Sequence, residues 1–88
     1  MYEVLVSSTF QKQFNSLPKN LQKRIKSALK ELEPDPYTPR TGADIKPLVN
    51  TEPQKYRLRV GNYRIIYLIE EQSVKVIEIF RRERGYKK

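Results

Sequence analysis

Cysteine, histidine and tryptophan are all missing from this chain of 88 residues. Without cysteine there is no disulfide framework and no thiolate chemistry. Without cysteine or histidine, the usual zinc sites and the Ser–His and Cys–His nucleophiles are excluded as well. Only three glycines are present, and they form no phosphate-cradling loop. No apolar run approaches the roughly 18 residues needed to cross a bilayer. The longest, Ile65-Ile66-Tyr67-Leu68-Ile69, has the length of a buried strand. The opening residues, Met1 to Val6, lack the basic start and small-residue cleavage site of a signal peptide. A chain without disulfides, spanning segment or leader is expected in the cytoplasm, away from membranes.

Acidic side chains are the other scarce class. Ten of them face 18 lysines and arginines, giving a net charge of +8 and a pI near 9.9. The carboxylates are scattered, with Asp35 and Asp44 in a loop and Glu70 and Glu71 at a turn. A magnesium-dependent nuclease needs convergent carboxylates, so neither a metal nor a cofactor is expected. The positive excess is uneven: residues 55–88 hold ten basic and four acidic side chains. Such a skew on a small domain points to a polyanionic partner, most often nucleic acid.

The length allows one domain, residues 1–88, with a thin core. Tyr2 to Val6 reads as a short strand, followed by Ser7, Ser8 and Thr9 as helix N-cap candidates. Phe10, Phe14 and Leu17 form one helical stripe. Pro18 breaks that helix and suits the first turn of the next. Leu21, Ile25, Ala28, Leu29 and Leu32 then form a second stripe, which Pro34 should end. Residues 34–54 are a proline-rich connection, with Leu48-Val49 as a short strand inside it. Tyr56 to Val60, the Gly61-Asn62 turn, Tyr63 to Ile69 and Val74 to Phe80 complete a meander. The expected class is α+β, in the order β-α-α-β-β-β, with the αα-hairpin packed on one face of an antiparallel sheet. The polar tail from Arg81 has the length for a short C-terminal helix.

Alternation along Tyr56-Arg57-Leu58-Arg59-Val60 turns Arg57 and Arg59 to the face away from the helices, about 6.5–7 Å apart. Arg64 lies across the hairpin from them. Arg81, Arg82 and Arg84 follow the last strand, and Tyr86 comes soon after. Together they suggest a concave basic surface that grips phosphates through forked hydrogen bonds and stacks an aromatic ring on a base. The candidates on this surface are Arg57, Arg59, Arg64, Arg81, Arg82, Arg84 and Tyr86, with Lys55 and Lys87 beside them. Tyr63 and Tyr67 read as packing residues. Metal-free cleavage of RNA needs only its internal 2′-hydroxyl nucleophile, in-line alignment, charge stabilisation and a proton for the leaving oxygen.

The segment from Tyr56 to Tyr67, the helical hairpin before it and the Arg81-Arg82-Glu83-Arg84 cluster after it resemble the RelE/ParE toxin superfamily along essentially the whole chain. The resemblance implies a toxin that cleaves mRNA in the ribosomal A site and is neutralised by a cognate antitoxin wrapped around it in a hetero-oligomer. It implies that Arg57 and Arg59 stand where RelE proteins can carry lysines, one of them a proposed base. By the same likeness Arg64 contacts the scissile phosphate, Arg82 protonates the leaving group and Tyr86 stacks on the base, which makes Arg57, Arg59, Arg64, Arg82 and Tyr86 the catalytic candidates and leaves Lys55, Arg81, Arg84 and Lys87 as flanking RNA-binding residues. Arg57 departs from the pattern, since arginine titrates too high to act as a base. Tyr86 sits closer to the arginine cluster than the pattern has it. The missing histidine separates the chain from superfamily nucleases that use one as acid or base. A ParE-like gyrase inhibitor without nuclease activity and a plain RNA-binding protein are the alternative readings. A +8 surface also favours an acidic-to-neutral antitoxin carrying an amphipathic helix.

Overall fold

Ser7 begins the helical layer and anchors it to the sheet. Its hydroxyl accepts the Phe10 N–H at 3.0 Å, as an N-cap should, and donates to the Ile77 carbonyl at 2.5 Å. In a computed structural model, which describes residues 1–82, this cap separates strand β1 (Glu3–Val6) from helix α1 (Ser8–Asn15). Helix α2 (Lys19–Lys30) follows, with Pro18 as its N-cap. Gln22 secures the corner between them by donating to the Phe14 and Leu17 carbonyls at the end of α1. Past Lys30 the backbone tightens to three-residue hydrogen bonds, Leu32 to Leu29 and Glu33 to Lys30, before Pro34.

Among the described residues four further strands follow: β2 (Asp44–Pro47), β3 (Lys55–Val60), β4 (Tyr63–Glu70) and β5 (Ser73–Arg81). They form one five-stranded sheet in the order β1-β5-β4-β3-β2. The class is α+β, as the residue pattern predicts, but two details differ. β1 runs parallel to β5, so the sheet is antiparallel only across its other three pairings. The strand inside the connection is Asp44–Pro47 rather than Leu48-Val49. Ile45 is the side chain that enters the core, while Val49 is 84% exposed. The Leu48 N–H still donates to the Lys55 carbonyl at 2.9 Å, closing the turn between β2 and β3. Pro47 is tolerated because β2 is an edge strand.

Both helices cover one face of the sheet. Phe10, Ile25 and Leu32 meet Ile45, Leu58, Ile65, Tyr67, Val74 and Val76 in a continuous core. Ile25 is wholly buried, and truncating such a side chain to alanine costs about 2–5 kcal/mol. A bulge at Ile77 shifts the β4–β5 register between Ile66 and Tyr67. Beyond the end of β1, the Ile79 N–H is taken by Gln13 Oε1 at 2.7 Å, so α1 caps the sheet edge that β1 leaves open. Tyr67 and Tyr56 stack at 5.5 Å. The Tyr67 hydroxyl donates to the Pro36 carbonyl at 2.7 Å, pinning the proline-rich connection to the sheet.

Candidate active site

With Leu58 and Val60 committed to the core, β3 has no choice but to present Lys55, Arg57 and Arg59 on the uncovered face. Register sets their neighbours. Arg57 lies opposite Ile66 and Arg59 opposite Arg64 on β4, and Arg64 lies opposite Phe80 on β5. On the other side, β2 sets Lys46 beside Arg57 and Asp44 beside Arg59. The tight turn at Gly61, where φ is +58°, brings β4 back in this register.

A cleft of about 380 Å³ opens on this face. Ile66 and Phe80 form its apolar floor; Pro47, Leu48 and Val49 wall one side; Lys46, Arg57 and Arg64 supply the charge. Arg64 is only 6% exposed, the one buried charged residue among those described. A guanidinium cannot shed its proton in a protein, so Arg64 carries a full charge into a poorly screened place where its pull on an anion is strong.

Asp44 organises the rim. Its Oδ1 accepts from Arg57 Nη1 at 3.2 Å and its Oδ2 from Arg59 Nε at 2.9 Å. Partial burial pushes its pKa up, but the hydrogen bonds and charges of Arg57 and Arg59 outweigh that and hold the carboxyl below the ordinary aspartate value. It is therefore ionised at neutral pH, and one carboxylate bridges two guanidiniums.

The structure brings Arg57 and Arg64 into one cleft. Lys55 stands one strand repeat from Arg57 on the same face, its backbone N–H held by Thr51 Oγ1 at 2.9 Å. Arg59 shares the face but lines a different hollow, with Arg24 and Arg40. Arg81 does not join the group: it pairs with Tyr63, and its guanidinium lies over the Tyr63 ring, 5.8 Å from the centroid, on the helical side. The same alternation that sends Phe80 to the open face turns Arg81 away. Arg82 follows the last strand residue, and its backbone N–H donates to the Asn62 carbonyl at 2.7 Å, fixing this end of the chain beside the β3–β4 turn. Arg84, Tyr86, Lys87 and the expected tail helix lie outside the described residues. Sequence reasoning missed Asp44, Lys46, Leu48, Val49 and Phe80 as cleft and rim residues. The polar–apolar–polar run Asp44-Ile45-Lys46 before a proline was the signal that could have placed the first two.

Among the described residues no helix is long and apolar enough to cross a membrane. A family model for the ParE toxin of the type II toxin–antitoxin system parDE matches residues 4–86. The fold is similar to that of RelE in the RelE–RelB complex of Pyrococcus horikoshii, with a TM-score of 0.80 and 31% identity over 94% of this chain and 97% of that one. It is similar also to a chain of the RelB–RelE complex from Methanococcus jannaschii, at TM-score 0.77 and 28% identity over 94% and 95% of the two chains. The isolated RelE toxin of E. coli shares the fold, at TM-score 0.71 and 20% identity over 92% and 84%. Among curated protein sequences none matches.

Proposed function

Because this chain belongs to the RelE/ParE superfamily and is a type II toxin of the RelE type, we propose that it is a ribosome-dependent endoribonuclease that cuts mRNA in the A site without a metal. The single observation that carries the reading is the cleft that holds Arg57 and buried Arg64 above the apolar floor of Ile66 and Phe80. A phosphodiester fits the two guanidiniums, and a base or ribose fits the floor.

In this reading the 2′-hydroxyl of the message gives its proton to solvent water as its oxygen bonds to the adjacent phosphorus, and the P–O5′ bond breaks as that oxygen takes a proton from an acid that solvent then reprotonates, giving a 2′,3′-cyclic phosphate and a 5′-hydroxyl. Arg64 and Arg57 neutralise the charge that builds on the phosphate, the step to which fixed cations contribute most. Arg57 aligns the phosphate and does not take the proton, since arginine has almost no neutral form to serve as a base. Arg82 stands where the family likeness puts the leaving-group acid, and Tyr86 where it puts the stacking ring. Lys55, Arg84 and Lys87 extend the backbone contacts, with Arg81 at the end of the sheet. The partner is a cognate antitoxin, supported by the RelB-bound state of the RelE structures this chain is similar to. The setting is the cytoplasm, where ribosomes and message are found.

The test is direct. Pure protein incubated with programmed ribosomes in chelator should yield fragments with 5′-hydroxyl ends, and intact message would count against the proposal. The ParE description of the matching family model favours a second reading, a gyrase inhibitor with no nuclease chemistry. In that case Arg64→Ala would leave toxicity unchanged, whereas the nuclease reading predicts its loss.

A further inference from the structure

Arg59 faces the same way as Arg57 yet opens onto its own hollow, of about 480 Å³, between α2, the residue 39–43 loop and the β3–β4 turn. Arg24 from α2 and Arg40 from the loop line it too, so three elements distant in sequence each contribute an arginine. Among the described residues the only carboxylate in the lining is Asp44, and both its oxygens are already engaged by Arg57 and Arg59. Arg40 is a strut and not a donor to the hollow: its guanidinium is taken up by the Glu31, Asp35 and Thr38 carbonyls and paired with the Glu31 carboxylate at 3.9 Å. Gly61 lets Arg24 approach. A Cβ there would stand 3.3 Å from Arg24 Nη2, so the guanidinium lies almost on the turn backbone.

We infer that this hollow is a second phosphate site, which takes the phosphodiester next to the one held in the Arg57–Arg64 cleft, with Arg24 and Arg59 as its donors. The proposal rests on the nuclease reading for the identity of the strand and goes beyond it in assigning Arg24. Arg57 and Arg59 are two residues apart on one strand, a separation of about 6.5–7 Å, comparable to successive phosphates along a single strand. Asp44 stands between the two guanidiniums and divides the ladder into two anion sites. An RNA strand crossing the mouth of the cleft therefore meets a second set of forked donors one phosphate further on.

The experiment compares a 2′-O-methyl dinucleotide, with one phosphodiester, and the matching trinucleotide, with two, titrated onto the isolated protein without ribosomes. Side-chain Nε–H resonances of Arg24, Arg57 and Arg59 report the position of each phosphate. The trinucleotide should bind roughly tenfold tighter than the dinucleotide, with a salt slope steeper by about 0.7, and should move the Arg24 and Arg59 signals. Arg24→Ala should lose most of that gain while binding the dinucleotide normally, and Arg24→Lys should keep part of it. Unmoved Arg24 and Arg59 signals at saturation, or an Arg24→Ala variant with the full gain, would overturn the inference. Ribosome-dependent cutting by the wild type, measured alongside, separates the two claims. Cutting with no second-phosphate gain removes the inference and leaves the nuclease. The gain without cutting upholds the site and removes the nuclease.

Discussion

Replacing Asp44 with asparagine should move stability and RNA binding in opposite directions. The Asp44–Arg59 contact joins side chains that are both nearly half exposed, whereas the Arg57 side chain is only 13% exposed. Exposed ion pairs contribute about 0.2–1 kcal/mol, which puts the first pair near the low end and the second near the high end. The loss in Asp44→Asn is then about 1 kcal/mol, or roughly 4–8 °C in Tm for a chain of this size. Binding gains instead. A phosphate on the far side of Arg57 stands on the order of 5–6 Å from the carboxylate, so their repulsion is about 0.7–3 kcal/mol for dielectric constants between 80 and 20. Physiological salt trims this to about 0.5–1.5 kcal/mol, roughly two- to twelvefold in affinity. Thermal melting and fluorescence anisotropy with a labelled 2′-O-methyl oligonucleotide read the two effects. Glu71→Gln, at the β4–β5 turn, changes net charge equally without touching the arginines. An Asp44→Asn variant that binds no tighter than Glu71→Gln would refute the reasoning.

The same carboxylate sets a pH dependence. Its folded-state pKa is depressed, so its contribution is present above the unfolded value near 4 and is lost as pH falls through the folded one; the melting curves of wild type and Asp44→Asn should converge in acid. Tyr67→Phe keeps the stacked ring but strands the Pro36 carbonyl, and a loss of about 1–2 kcal/mol in denaturant unfolding is expected; an unchanged midpoint would show that the hydroxyl does not hold the connection. Burial, and then the neighbouring Tyr56, push the Tyr67 hydroxyl well above the ordinary tyrosine range. A raised acid of this kind stabilises the fold below about pH 10 and loses that contribution as pH rises further. Phenolate absorbance should therefore show a late component in wild type that is missing from Tyr67→Phe.

The alternation of Tyr56 to Val60 made the arginine face legible, because β3 must give Leu58 and Val60 to the core whatever else happens. The Ser7 cap and the Ile25 stripe were equally readable, since each depends on local spacing. The partition of the arginines was not. Arg57 and Arg59 share a face in any register, and only the pairing of Asp44 with Arg59 on a strand hidden in a proline-rich connection separates one hollow from the other. Arg81 was misplaced because a run of arginines carries no period; register with Tyr63 decides its side. Arg24 looked like one more solvated charge on a basic helix. What distinguishes it is a glycine 37 positions later in the sequence, and no local pattern encodes that approach.

The central claim is that Arg57 and Arg64 hold the phosphate at which the message breaks. Single-turnover cleavage on saturating programmed ribosomes tests it with Arg57→Ala, Arg64→Ala and, as a control, Lys12→Ala on the exposed side of α1. Each arginine variant should cut about 10²–10³-fold more slowly, with Arg64→Lys in between and the lysine variant unchanged. An Arg64→Ala protein that folds and cuts at the wild-type rate would contradict the account.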